Sequence, residues 1–145
     1  MIENCITFLF LVIGSAFDLK GKCVPKSYLY LWGGCAFLYI ISVSVIENNV
    51  QFIINATIGI IPGVIGLFLV FVSKEQIGWG DGWVILLMGI FVGAKMVCGI
   101  VFVAFVFLTF VIIVLLLAHR VKRRTTIPFI PFLLVGQIVV VCIGG

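Results

Sequence analysis

The sequence predicts an all-α fold: a polytopic membrane bundle of six transmembrane helices with both termini outside. Three observations predict it. The 145 residues are 64% hydrophobic and only 10% charged, whereas soluble domains carry about 25% charged residues. Mean hydropathy is +1.43, and a chain of 15.9 kDa has too little interior to hide that much apolar surface. The apolar residues also gather into stretches that approach the roughly 20 residues needed to cross a hydrocarbon core. These facts exclude a soluble enzyme, a disordered tail, a collagen-like repeat and a small disulfide-stapled fold. The length allows one domain, residues 1–145.

The first span is expected from Ile2 to Phe17. Its leading residues Met1-Ile2-Glu3-Asn4 lack a basic n-region and lysines follow it, so it reads as a retained span rather than a signal peptide. The second runs from Ser27 to Ile46 and the third from Phe52 to Val72. Gly59, Pro62, Gly63 and Gly66 in the third are tolerated in membrane helices and let neighbours pack closely. From Gly80 to Ala118 only Asp81 and Lys95 are charged, and 39 residues are too many for one crossing. A fourth span (Gly80 to Val92) and a fifth (Met96 to Ala118), with a turn near Gly93-Ala94-Lys95, fit that length. The sixth runs from Pro128 to Gly144. No internal repeat is visible.

Orientation follows from the basic residues. Eight of the nine Lys and Arg residues (Lys20, Lys22, Lys26, Lys74, Arg120, Lys122, Arg123 and Arg124) fall in loops on one side, and only Lys95 on the other. The basic loops are therefore expected in the cytoplasm, giving a multi-pass protein of the cell membrane. The run from Arg120 to Arg124 reads as a topology anchor touching anionic lipid, not as a nucleic-acid patch. Trp32, Trp79, Trp83, Tyr28, Tyr30 and Tyr39 read as interfacial aromatics, with Trp79 and Trp83 also placed to shield Asp81 from bulk water. Five scattered cysteines without a CxxC pair read as buried free thiols, and a single histidine, His119, leaves no ligand set for a metal or other cofactor.

The chain has two aspartates. Asp18 ends the first span and Asp81 opens the fourth, so the charge-derived topology puts both at the same cytoplasmic depth. Taken alone, Asp18 reads as a solvated interfacial residue or a cap. Asp81 lies in Gly78-Trp79-Gly80-Asp81-Gly82, where glycine allows close backbone approach to a peptide or a positive φ. A carboxyl group near the membrane interior is costly and faces a partner or a wet cavity. Two such groups together share one proton. The ionised member can then take a proton from water while the neutral member polarises a scissile carbonyl, and no metal, serine or thiol is needed. An alternative from another class is a small transporter or proton-conducting protein using the same carboxylates.

These residues resemble the type IV prepilin peptidase family, membrane aspartyl proteases with a Gly-x-Gly-Asp motif. Asp18-Leu19-Lys20 with Val24-Pro25 is similar to the first catalytic block. Gly78-Trp79-Gly80-Asp81 is similar to the second, with Gly89 and Gly93 in the helix that follows. Ile127-Pro128-Phe129-Ile130-Pro131-Phe132 resembles the proline-aromatic opening of the last span. The chain departs from the family at Lys26, where Asn is common, and at Trp83, where Lys is common. The resemblance implies Asp18 and Asp81 as the catalytic pair, Gly78, Gly80 and Gly82 as motif backbone, and no cofactor. It also implies a prepilin-like membrane substrate cut between a basic leader and an apolar helix. The absent CxxC pairs imply peptidase activity without N-methyltransferase activity, as in the short family members that act on preflagellins or tight-adherence pilins. Glu75 reads as a solvated loop charge at the mouth of the site.

Overall fold

In the computed structural model, residues 2–21, 25–46, 50–72, 79–118 and 128–144 are described. They form five helices: α1 (Ile2–Gly21), α2 (Lys26–Ile46), α3 (Val50–Val72), α4 (Trp79–Leu117) and α5 (Ile130–Gly144). Lys22, Cys23, Val24, Lys74, Glu75, Gly78, His119, Arg120, Lys122, Arg123, Arg124 and Ile127 lie outside the described residues. Among the described residues α4 is the helix long and apolar enough to cross a membrane, with shorter apolar helices at Thr57–Phe68 and Ile130–Gly144. The exterior is strongly apolar: Phe68, Phe102, Phe110, Leu31 and Leu117 are all more than half exposed. A water-soluble domain does not present a surface of this kind, whereas lipid accepts it.

The expected fourth and fifth spans correspond to two helical arms of α4 (Trp79–Leu117) joined at Gly93, whose backbone is not helical (φ 76, ψ 169). That left-handed φ is costly for any side chain with a Cβ, which is why glycine stands there. The packing partners show what the break does. Gly59, Gly63 and Leu67 of α3 meet Gly89, Leu86 and Gly82 of α4 in turn, so 79–92 runs antiparallel to α3. Beyond the break, Gly136 of α5 meets Ile100 and Ala104, and Phe129 meets Phe105, so 94–117 runs antiparallel to α5. Helix α5 is itself antiparallel to α1, through Ile130 with Asp18 at one end and Gln137 with Thr7 and Asn4 at the other. Glu3 of α1 bonds Tyr39 of α2, which in turn touches Phe91, so α1 begins where 79–92 ends. Relative to α1, the two arms of α4 therefore run in opposite senses.

Glycine sets the closest contact. A Cβ on Gly59 would overlap the carbonyl oxygen of Gly89, and one on Gly89 would overlap that of Gly59. The α3 backbone thus lies directly against the first arm of α4, the kind of approach small residues allow in apolar bundles. Pro62 sits inside α3 without ending it.

The core gathers around Phe10, Leu11, Met88, Ile100, Ile130 and Leu133, all essentially inaccessible. Two expectations change here. Tyr28 and Trp32 are core residues, not interfacial ones. Phe10 stacks on Tyr28 with ring centroids 5.4 Å apart and tilts against Trp32 at 4.9 Å, while the Tyr28 hydroxyl donates to the Phe10 carbonyl. An aromatic ring with a polar tip is accepted in a core once that tip finds a partner. Tyr30, by contrast, is 78% exposed. Cys5, Cys35, Cys98 and Cys142 are free, as expected, but exposed rather than buried. Small, weakly polar thiols are inexpensive on a surface that faces lipid.

The α3–α4 contact gives a test. Gly59→Ala and Gly89→Ala place a methyl group into opposing backbone, which cannot rotate away, so each should destabilise the bundle by about 3 kcal/mol or more. Gly34→Ala, with nothing near its Cβ, should be neutral or slightly stabilising. Unfolding curves of the detergent-solubilised variants measure the difference.

Candidate active site

Asp18 lies one turn before the C-terminus of α1, and Asp81 is the third residue of α4. The packing described above brings those two helix ends to the same end of the bundle. The two carboxyl groups lie within electrostatic range of one another. Asp18 is 5% exposed, while Asp81 is only partly buried. The two residues singled out from sequence therefore come within electrostatic range of one another, and Asp81 has the larger exposed fraction.

Asp18 has a partner the sequence did not disclose. The backbone N–H of Ile130 donates to its Oδ2 at 3.2 Å, and the Phe129 amide also faces the carboxylate. Proline chemistry explains this arrangement. Helix α5 opens with the Phe129 carbonyl accepting from the amides of Phe132 (3.0 Å) and Leu133 (3.3 Å). Pro128 and Pro131 carry no N–H, so Phe129 and Ile130 hold the only donors between 128 and 131. Both are directed at Asp18. A proline in the first helical turn is well tolerated because that turn has unused donors in any case. The Pro-Phe-Ile-Pro pattern was visible in the sequence; its long-range partner was not.

At the far end, a second polar contact joins the same two helices. The Gln137 side-chain amide donates to Thr7 Oγ1 (2.6 Å) and to the Asn4 carbonyl (3.0 Å). Thr7 in turn donates back to the Glu3 carbonyl at 2.9 Å. Among the described residues, Gln137 Oε1 is buried without a partner. The α1–α5 pair is thus pinned at both ends, and between the pins Gly14 of α1 lets the Ile130 and Tyr28 side chains close in.

The glycine-rich block around Asp81 works differently from its expectation. Gly80 and Gly82 are helical, and Gly93 is the only glycine with positive φ among the described residues. Gly82 is buried, and a Cβ there would come within 2.7 Å of Leu67 Cδ2. Its absent side chain admits α3 rather than a peptide. Gly78 lies outside the described residues. Trp79 and Trp83 are 47% and 45% exposed. One helical turn apart, they share a face from which Asp81, two residues from each, points away. Among the described residues no three His, Cys, Asp or Glu side chains converge to hold a metal ion.

Fold and site together define an all-α bundle with a lipid-compatible exterior and a pair of carboxyl groups at one end. Residues 5–118 match the model of the type IV leader peptidase family, and the chain belongs to that family. It is accordingly a protease of the leader-peptidase kind, which sets the transporter alternative aside. No curated protein and no solved structure gives a significant match. Both aspartates fall within the matched segment, whereas Phe129, Ile130 and the rest of α5 fall beyond it.

The seat of Asp81 can be tested through Leu67. Gly82→Ala should cost about 1–3 kcal/mol by overpacking, and adding Leu67→Ala should recover part of that loss. A double-mutant cycle on unfolding free energy reads the coupling. Simple additivity would show that the two residues do not touch.

Proposed function

We propose that the chain is an aspartyl endopeptidase that removes the basic leader from type IV pilin-like membrane precursors, with Asp18 and Asp81 as its catalytic pair. One observation carries this reading: two carboxyl groups from distant stretches of the chain lie within electrostatic range of one another at one end of an apolar bundle. Membership in a leader peptidase family supplies the reaction class. A peptide carbonyl is a poor electrophile, and water is a poor nucleophile. A proton-sharing acid pair addresses both, since the carboxylate draws a proton from water while the carboxylic acid hydrogen-bonds the carbonyl oxygen. The reaction needs neither a cofactor nor a protein nucleophile.

Topology supports the substrate. Counting the arms of α4 separately gives six apolar segments, and the distribution of Lys and Arg puts the Asp18 end in the cytoplasm and both termini outside. A prepilin-like precursor carries its basic leader on the cytoplasmic side and its apolar helix in the bilayer, so the bond between them lies at the depth of the two aspartates. Lys20 and Lys26 flank this end and are exposed, as residues at a lipid headgroup boundary should be. Leader removal is proposed without subsequent N-methylation.

Asp18→Asn and Asp81→Asn should each lower leader cleavage of a co-expressed prepilin-like substrate by at least about a thousandfold, the order expected when a concerted acid or base is lost. Membrane insertion and thermal unfolding should remain near the parent's. Cleavage at the parental rate by either variant would remove the pair from the mechanism.

A further inference from the structure

Resting on the reading just given, we infer that the two aspartates are not interchangeable: the amino end of α5 holds Asp18 as the ionised base, and Asp81 keeps the proton. Ile130 and Phe129 act in this assignment as positioning residues, through backbone amides alone.

The argument starts from what Asp18 lacks. It sits in the last turns of α1, where the unpaired carbonyls of its own helix repel a negative charge. It is nearly inaccessible to water, and a buried anion without donors is unfavourable. Among the described residues the charged and titratable groups around it are few. From α4 it faces Asp81, also acidic; Lys20 on its own helix and Lys26 on α2 are exposed, and the Tyr28 hydroxyl of α2 is committed to the Phe10 carbonyl. What compensates the charge is α5. Its first turn points the Ile130 N–H at Asp18 Oδ2, with the Phe129 amide beside it, and the two flanking prolines leave no other donor there to compete. Hydrogen bonds from amides to a carboxylate are charge-assisted and favour the anion over the acid, which accepts more weakly.

Asp81 has the opposite balance. It gains from its place in the first turn of α4, but no donor among the described residues bonds its carboxyl group, and the Asp18 charge repels its ionised form. A direct amide bond to a carboxylate outweighs a first-turn dipole, so the single proton of the pair resides on Asp81.

The protons then balance through one turnover. Water adds its oxygen to the scissile carbonyl carbon and gives a proton to Asp18, while Asp81 gives its proton to the carbonyl oxygen. On collapse the C–N bond breaks and the leaving nitrogen takes the proton from Asp18. The new carboxyl group returns the other proton to Asp81, so the starting charge state is restored.

The experiment uses the full-length protein in detergent or liposomes. Ile130→Pro deletes the donating N–H at a helix position that accepts proline, and Ile130→Ala keeps it. Ile130→Pro should move the acid limb of the kcat/KM profile up by about one pH unit, with the alkaline limb, set by Asp81, left in place and KM unchanged. Ile130→Ala should keep the parental profile even if it lowers yield. An unshifted limb in Ile130→Pro, or an equal shift in Ile130→Ala, overturns the assignment. Should Ile130→Pro fail to fold, the Asp81→Asn protein carries the test without requiring turnover. Its infrared spectrum at neutral pH should lack a protonated-carboxyl band from Asp18. Such a band, abolished by adding Asp18→Asn, would overturn the assignment while leaving the acid-pair reading intact. Undiminished cleavage by Asp18→Asn would instead remove the acid-pair reading itself.

Discussion

An apolar bundle can hold a carboxyl group only if something replaces the water that group has given up, and much of this architecture is organised around meeting that requirement at Asp18. Its replacement for water is the opening turn of α5, a segment far away in the chain. For that turn to reach Asp18, α5 must lie antiparallel to α1 at fixed height. The Gln137 contacts to Thr7 and Asn4 at the other end hold that register much as a second hinge pin holds a door. Interhelical hydrogen bonds of this kind contribute about 0.6 kcal/mol each in membrane bundles, so their main consequence is geometric.

Asp81 reaches the site by a different route. Its arm of α4 is held by α3, through a seam where glycine faces backbone at Gly59 and Gly89 and where Gly82 admits Leu67. The reversal at Gly93 then lets one continuous segment serve two partners, α3 before the break and α5 after it. Because α5 also touches α1, the polypeptide closes a loop of contacts from α3 through α4 and α5 to α1. Helix α1 in turn contacts α4, and Asp18 and Asp81 lie within electrostatic range of one another at one end of this set of contacts. The energetic requirement at one residue and the close packing at the other are linked through a single helix.

How much of this could be read beforehand varies with the physical range of each signal. Apolar stretches and basic loops act locally, so the helices and the turn at Gly93-Ala94-Lys95 were legible; α4 kept helical geometry nearly through the turn because only Gly93 leaves it. The expectation that Asp18 and Asp81 share one end came from placing both on one side by the basic residues alone, without any knowledge of packing. What was not legible depends on partners distant in sequence. Tyr28 and Trp32 resemble interfacial aromatics until Phe10 is seen between them. Gly82 resembles a substrate-facing glycine until α3 is seen against it. The prolines around Phe129 and Ile130 announced a helix start, but nothing in the string says that its two free amides belong to Asp18.

The central claim is that the end of α1 and the start of α4 meet. In a chain whose native cysteines are replaced by alanine, Asp18→Cys combined with Asp81→Cys provides the most direct measurement. The two thiols should join efficiently by oxidation or through a short bifunctional reagent, within one chain and in native membranes. Efficient joining of Asp18→Cys to Lys95→Cys instead, with none between positions 18 and 81, would place the carboxyl groups at opposite ends of the bundle and contradict the account.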